Sequence, residues 1–286
     1  MTLIVTALSD SAIVQVSDRR LTCDGVVYDD NANKAIVATC VDARFVIAYT
    51  GMGLIRGRYG ERTDEWITNY LSSQPLHRLR PHEVLDRLRA ALTDTISQIR
   101  DIPTSQVALT VVAAGFHAGR PFLVEVTNFE DENGARLPQV AGVFLRHVFL
   151  PSEPFTRLDV VVHGTEQAVH DGLNAAINKL RTRLFQQSPR RIARGLVQTL
   201  RIASKHPQYG KYIGRDCMAN LVLPSGKIIS EYISEKKGKI VYAPHSVGPV
   251  VDSRSVSIVR DDRSTITVRG FFKLKRPTPP GEDGAD

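Results

Sequence analysis

A chain of 286 residues that is 42% apolar and 23% charged has ample core for one large domain or two small ones, and its balance is that of a soluble globular protein. A net charge of +7 and a pI of about 9.4 raise the question of nucleic acid, yet the basic residues are scattered, and the densest runs (Arg190, Arg191, Arg194, Arg201; Lys236, Lys237, Lys239) lack interleaved aromatics, so a solvated basic face is favoured. No stretch approaches the roughly 18 apolar residues that cross a bilayer, the apolar start meets Asp10 too early for a signal peptide, and Cys23, Cys40 and Cys217 form neither a C-x-x-C pair nor an even set, which argues against disulfides and zinc and for a cytoplasmic protein.

Residues 3–8 and 12–17 are apolar, rich in β-branched types and separated by Ser9, Asp10 and Ser11, which predicts a hairpin. Residues 35–40 and 45–50 repeat the design around Val41, Asp42, Ala43 and Arg44. Two helices follow. One covers Thr63–Ser72, with Trp66, Ile67, Tyr70 and Leu71 on one face. The other starts after Pro81, where Val84, Leu85, Leu88, Ala91, Leu92, Thr95, Ile96 and Ile99 recur with a helical period. Strand patterns return at 107–115, 122–126, 142–149 and 158–162. A second helix pair is expected at 166–185 and 190–204, the latter opened by Ser188 as cap and Pro189 in the first turn. Strands at 217–223 and 228–233, with further short ones to about residue 272, complete the pattern, and the Pro-rich 273–286 reads as a disordered tail.

The order is strands, helix pair, strands, helix pair, strands. Each helix pair needs a sheet face to cover, so the expected fold is α+β: a four-layer αββα sandwich of two mainly antiparallel sheets, in a single domain over residues 1–272. A doubly wound parallel sheet fits less well, because strands here come in adjacent runs rather than alternating singly with helices.

Hairpin arithmetic draws attention to the N-terminus. With the first turn centred on Asp10, facing residues sum to about 20 and Thr2 lies across from Asp18, to within a one-residue slip. With the second centred between Asp42 and Ala43, they sum to about 85 and Lys34 lies across from Gly51. Joining both hairpins in one sheet would gather these four groups at one edge. A threonine hydroxyl at its ordinary pKa is a poor nucleophile and needs a base. A free α-amine, with a pKa of about 7.7–8.0, is one. Lys34 beside it disfavours the protonated amine, Asp18 holds Lys34, and the Gly51 N–H offers itself to a developing oxyanion.

Thr2-Leu-Ile-Val, Val16-Ser-Asp18-Arg-Arg20, Asn33-Lys34 and Tyr49-Thr-Gly51-Met-Gly53 resemble the opening of the proteasome β-type peptidases, and in particular of the bacterial proteasome-like subunits, within the N-terminal nucleophile (Ntn) hydrolase superfamily. Counted from Thr2, Asp18 and Lys34 stand at the family's spacing, Arg20 matches an arginine beside the aspartate, and Gly51 matches the oxyanion glycine. Val162-His163-Gly164-Thr165-Glu166 resembles the turn into the family's third helix, although His163 replaces a serine. The family's later aspartate-and-serine element falls near 212–217, where Asp216 has no serine at D-x-x-S spacing. The family-like order runs to about residue 235 and leaves 236–286 without an assigned role.

The resemblance implies a threonine peptidase or amidohydrolase, active once Met1 is removed by an aminopeptidase. It implies no metal or organic cofactor, a peptide or unfolded-protein substrate and a homo-oligomeric ring or spiral, and it leaves room for an unfoldase partner. Two rivals remain open: the same fold as a non-catalytic assembly subunit, and, more weakly, a basic nucleic-acid-binding protein. Each residue also has an ordinary explanation. Thr2 would be a plain second residue, Asp18 with Arg19 and Arg20 a strand-end ion pair, Lys34 a solvated strand start and Gly51 a turn glycine. Their joint register is what favours chemistry.

Overall fold

The computed structural model describes residues 2–23, 26–55, 60–99, 102–103, 106–131, 137–149, 158–164, 173–183, 187–234, 244–248, 254–259 and 265–270. In chain order the strands are β1 (Leu3–Leu8), β2 (Ile13–Asp18), β3 (Leu21–Cys23), β4 (Val26–Asp29), β5 (Ala35–Thr39), β6 (Ala43–Gly51), β7 (Leu109–His117), β8 (Arg120–Thr127), β9 (Leu145–Phe149), β10 (Asp159–Gly164), β11 (Cys217–Val222), β12 (Ile228–Ile233), β13 (His245–Val247), β14 (Arg254–Val259) and β15 (Thr265–Gly270). The α-helices are α1 (Thr63–Ser72), α2 (Pro81–Ser97), α3 (Leu173–Arg183) and α4 (Pro189–Ala203). The expected disordered tail and the first part of the helix expected from residue 166 lie outside the described residues.

The two predicted hairpins form, but in different sheets. One sheet has seven strands in the order β10-β1-β2-β11-β12-β14-β15 and the other six in the order β13-β5-β6-β7-β8-β9. Neighbours are antiparallel except where β14 joins β12 and β13 joins β5. Helices α3 and α4 cover the first sheet, with Ile177, Ile192, Leu196 and Leu200 against Leu3, Val5, Val14 and Ala219. Helices α1 and α2 cover the second, with Ile67, Leu85, Leu88 and Leu92 against Ile36, Phe45, Ile47 and Val111. Between the sheets Ile4, Leu8 and Ile13 meet Val46, Ala48, Val112 and Ala114. This is the four-layer αββα sandwich. It explains why β1 and β5 read as continuous apolar runs: both faces of each strand are covered.

Both hairpin registers differ from the arithmetic. Ile4 faces Ser17, so Leu3 rather than Thr2 comes level with Asp18. In the second hairpin Ala35 faces Ala48, because the turn is the tight one closed by the Cys40 N–H on the Ala43 carbonyl, which places Lys34 level with Tyr49. Gly51 instead ends β6 opposite Leu109 of β7. At the start of α4, Pro189 takes the first turn as expected, while the Ser188 side chain makes no capping hydrogen bond. No helix among the described residues is long and apolar enough to cross a membrane.

Candidate active site at the open ends of the two hairpins

Thr2 leads into β1 of one sheet and Lys34 into β5 of the other, so the stacking of the sheets, not a shared sheet, brings them together. An ammonium has three donors, and those of Lys34 meet three oxygens: Thr2 Oγ1, the Arg20 carbonyl and Asp18 Oδ1, the last at 3.4 Å. The side chains of Lys34 and Asp18 are wholly buried. Main-chain N–H groups fix the carboxylate, with Leu3 donating to Oδ2 at 2.8 Å and Arg20 and Gly214 donating to Oδ1 at 2.8 and 3.1 Å. Burial pulls the Lys34 ammonium below its ordinary pKa, the charges of Asp18 and Asp64 work against that fall, and Arg19 adds to it.

Arg20 takes part through its main chain, donating to Asp18 and accepting from Lys34. Its guanidinium points elsewhere, to Asp30 at 2.6 Å and the Lys211 carbonyl at 3.1 Å. Gly51 has φ +101°, and a Cβ there would stand 2.1 Å from the Ala108 carbonyl oxygen, so the backbone demands glycine before any catalytic role is considered. The residue before it, Thr50, touches Thr2 directly: the Thr2 N–H donates to Thr50 Oγ1 at 3.2 Å and the Thr50 hydroxyl donates to the Thr2 carbonyl at 2.7 Å. Gly164 closes the other side, where a Cβ would lie 1.9 Å from the Thr2 carbonyl oxygen.

Several groups around this centre escaped sequence reasoning because they arrive from distant elements. Asp64, in the first turn of α1, accepts hydrogen bonds from Tyr49 at 3.2 Å and Arg62 at 3.1 Å and pairs with His245 at 3.1 Å. Burial works to raise the Asp64 carboxyl, but His245 and Arg62 outweigh it and hold it below the usual range. His245 lies on β13, so the chain beyond residue 235 reaches this network. Asp216, which has no serine at D-x-x-S spacing, instead accepts from Ser234, just after β12, at 3.1 Å and from Tyr232 at 3.3 Å. The Arg19 N–H in turn donates to the Asp216 carbonyl at 3.1 Å, tying this network to the strand end that carries Asp18. His163 pairs with Glu125 of the opposite sheet rather than with Thr2.

No protein-family model and no curated protein sequence matches the chain. Solved structures do. The Anbu (Gly-1) mutant from Hyphomicrobium sp. strain MC1 superposes with a TM-score of 0.51 at 13% identity, over 80% of this chain and 85% of that one. Anbu is a bacterial proteasome-like protein of the Ntn-hydrolase fold, and this chain shares that fold.

Proposed function

We propose that this chain is a proteasome-like threonine hydrolase of peptide or related amide bonds, active when Met1 has been removed. One observation carries the reading: the buried Lys34, anchored by Asp18, touches the hydroxyl of Thr2. In this reading Thr2 Oγ attacks the carbonyl carbon while its own α-amine takes the hydroxyl proton and later gives it to the leaving amine; water then hydrolyses the resulting ester. Lys34, at a depressed pKa, keeps part of that amine unprotonated by like-charge repulsion and steadies the developing alkoxide. The Gly51 N–H is assigned to the oxyanion, and Arg20 positions Asp18 and Lys34 through its main chain. A cytoplasmic homo-oligomer acting on unfolded peptides, with or without an unfoldase, belongs to the same reading.

A non-catalytic assembly subunit is the second reading. It is favoured by the enclosure of Thr2, which is 2% exposed in the Met1-bearing chain with its N–H already on Thr50. N-terminal sequencing of protein from its native cell separates the two. A chain that begins at Thr2, and whose hydrolysis of one peptide amide is abolished by Thr2→Ala with the fold intact, supports the hydrolase; retained Met1, or equal rates for Thr2→Ala and wild type, establishes the alternative.

A further inference from the structure

A second buried polar cluster lies between the sheets and has no part in the proposed reaction. A row of threonines leads to it from the Thr2 end: Thr50 faces Thr110, Thr110 faces Thr127, and the Thr110 and Thr127 hydroxyls are hydrogen-bonded at 2.8 Å. Two residues further along β8, on the same face, stands Glu125. Across the inter-sheet space stands His163 of β10, whose Nδ1 contacts the Glu125 carboxylate. The chain leaving β8 is pinned by Asn128, whose side chain accepts from the Leu109 N–H at 2.9 Å and donates to the Val107 carbonyl at 3.0 Å. That pinning sets Glu130 beside the other two. Glu125, Glu130 and His163 are all buried, and one ligand atom from each lies within 4.8 Å of the others.

An inter-sheet ion pair is the plain explanation, and it accounts for one carboxylate and one imidazole nitrogen. It leaves His163 Nε2 buried with no hydrogen-bond partner. It also leaves His147 Nε2 in the same condition, on β9 directly opposite Glu125. Buried polar nitrogens are rarely left unsatisfied. Burial raises the Glu125 carboxyl while His163 and then His147 lower it, with a net fall. Among the described residues, Glu125, Glu130, His163 and His147 gather at this space.

We propose that Glu125, Glu130 and His163 form a binding site for one divalent transition-metal ion, of the zinc class, that fastens β10 to β8 beside the Thr2 end. Two carboxylate oxygens and one imidazole nitrogen are a donor set zinc accepts, and the three leave a coordination position for water or for a fourth side chain such as His147. Because Gly164 follows His163 and packs on the Thr2 carbonyl, the ion also braces the strand that backs Thr2.

The test uses the full chain stripped with chelator and titrated with ZnCl2 by calorimetry, with CoCl2 absorption as an independent readout. Wild type and Thr2→Ala should each bind one ion per chain and gain melting temperature. The near-isosteric Glu130→Gln and the His163→Gln variant should lose at least about 100-fold in affinity, as expected for a lost direct ligand. In wild type alone, Zn2+ should shift the His163 ring resonances, which keeps the idea testable if a variant fails to fold. A folded wild type that takes up no Zn2+, an unmoved His163 ring, or equal binding by Glu130→Gln would each overturn the site. Since Thr2→Ala serves as a binding-competent control, failure of the hydrolase reading leaves this result intact.

Discussion

The Thr50 hydroxyl bridges both main-chain polar groups of Thr2, accepting from its N–H at 3.2 Å and donating to its carbonyl at 2.7 Å. Removal of Met1 converts that N–H into an α-amine with Thr50 Oγ1 as its acceptor, which aims the amine while leaving a lone pair available for a proton. Thr50→Val should therefore lower kcat by about ten-fold or more with little change in KM, since a positioned base contributes at least that much. Thr50→Ser should restore most of the rate. For the wild type, activity should rise with pH through one group near neutrality, the amine. A Thr50→Val variant that changed KM alone would show that the bridge is structural.

Lys34 and Asp18 separate from Arg20 in the same assay. Lys34→Ala should silence hydrolysis and also cost about 3–5 kcal/mol of stability, because it strands a buried carboxylate; both partners are wholly enclosed. Asp18→Asn should be damaging through misplacement of Lys34. Arg20→Ala should change kcat little, since its contributions come from the main chain and its guanidinium is turned toward Asp30. Cys217→Ala should also be mild: its side chain packs in the helix-facing core. Steady-state rates and denaturation midpoints for the four variants decide it, and an inactive but folded Arg20→Ala would overturn the main-chain assignment.

The layer order was legible because hydrophobic runs and helical periods report burial directly, and each run that reads apolar on both sides is an inner strand. The two registers were not legible. A tight turn at Val41 and Asp42 instead of one centred a residue later moves every pair in that hairpin by two positions, and no residue type in the turn forces the choice. The spacing of Thr2, Asp18 and Lys34 survived that error because the site is built by stacking two sheets, so Lys34 reaches Thr2 from β5's start whichever residue it faces on β6. Thr50, Asp64, Ser234 and the Glu125–His163 pair carry no local signature. A lone threonine or glutamate in an apolar strand becomes meaningful only when the opposite sheet shows what it faces.

Acid should unfold the chain through a small number of identifiable carboxyls. Burial raises Asp64 and Glu125, but their ion-pair partners prevail and both end below their ordinary values of 3.8 and 4.5. A carboxyl whose pKa is lower in the folded chain contributes its full stabilisation above the unfolded value, and loses it as pH falls through the folded one. Melting temperature should thus hold from neutrality down to about pH 5 and fall progressively below it. His163→Gln should flatten the acid-side fall, because it removes the partner that holds Glu125 below its ordinary value. Identical pH–melting curves for wild type, Asp64→Asn and Glu125→Gln would show that these groups do not govern acid stability.

Assembly is the last expectation. The apolar face of α2 is not free for a subunit contact, since Val84, Leu85, Leu88, Leu92 and Ile96 are buried against the second sheet. Among the described residues, those exposed include β4, where Val26, Val27 and Tyr28 are 69%, 43% and 60% accessible, and Val148 and Phe149 on β9, the edge strand of the six-stranded sheet. Scattered apolar side chains are ordinary on a surface, but three consecutive ones on a two-stranded ribbon are an interaction site or a liability. In the proposed homo-oligomer a second copy of the chain would cover this strip. Light scattering at micromolar concentration should give a multiple of 31.6 kDa. The double change Val26→Ser with Tyr28→Ser should reduce that mass while the melting temperature of the fold moves little, since neither side chain is buried within one chain. A wild-type mass equal to a single chain would remove the oligomer, and a variant mass unchanged from wild type would move the contact away from β4.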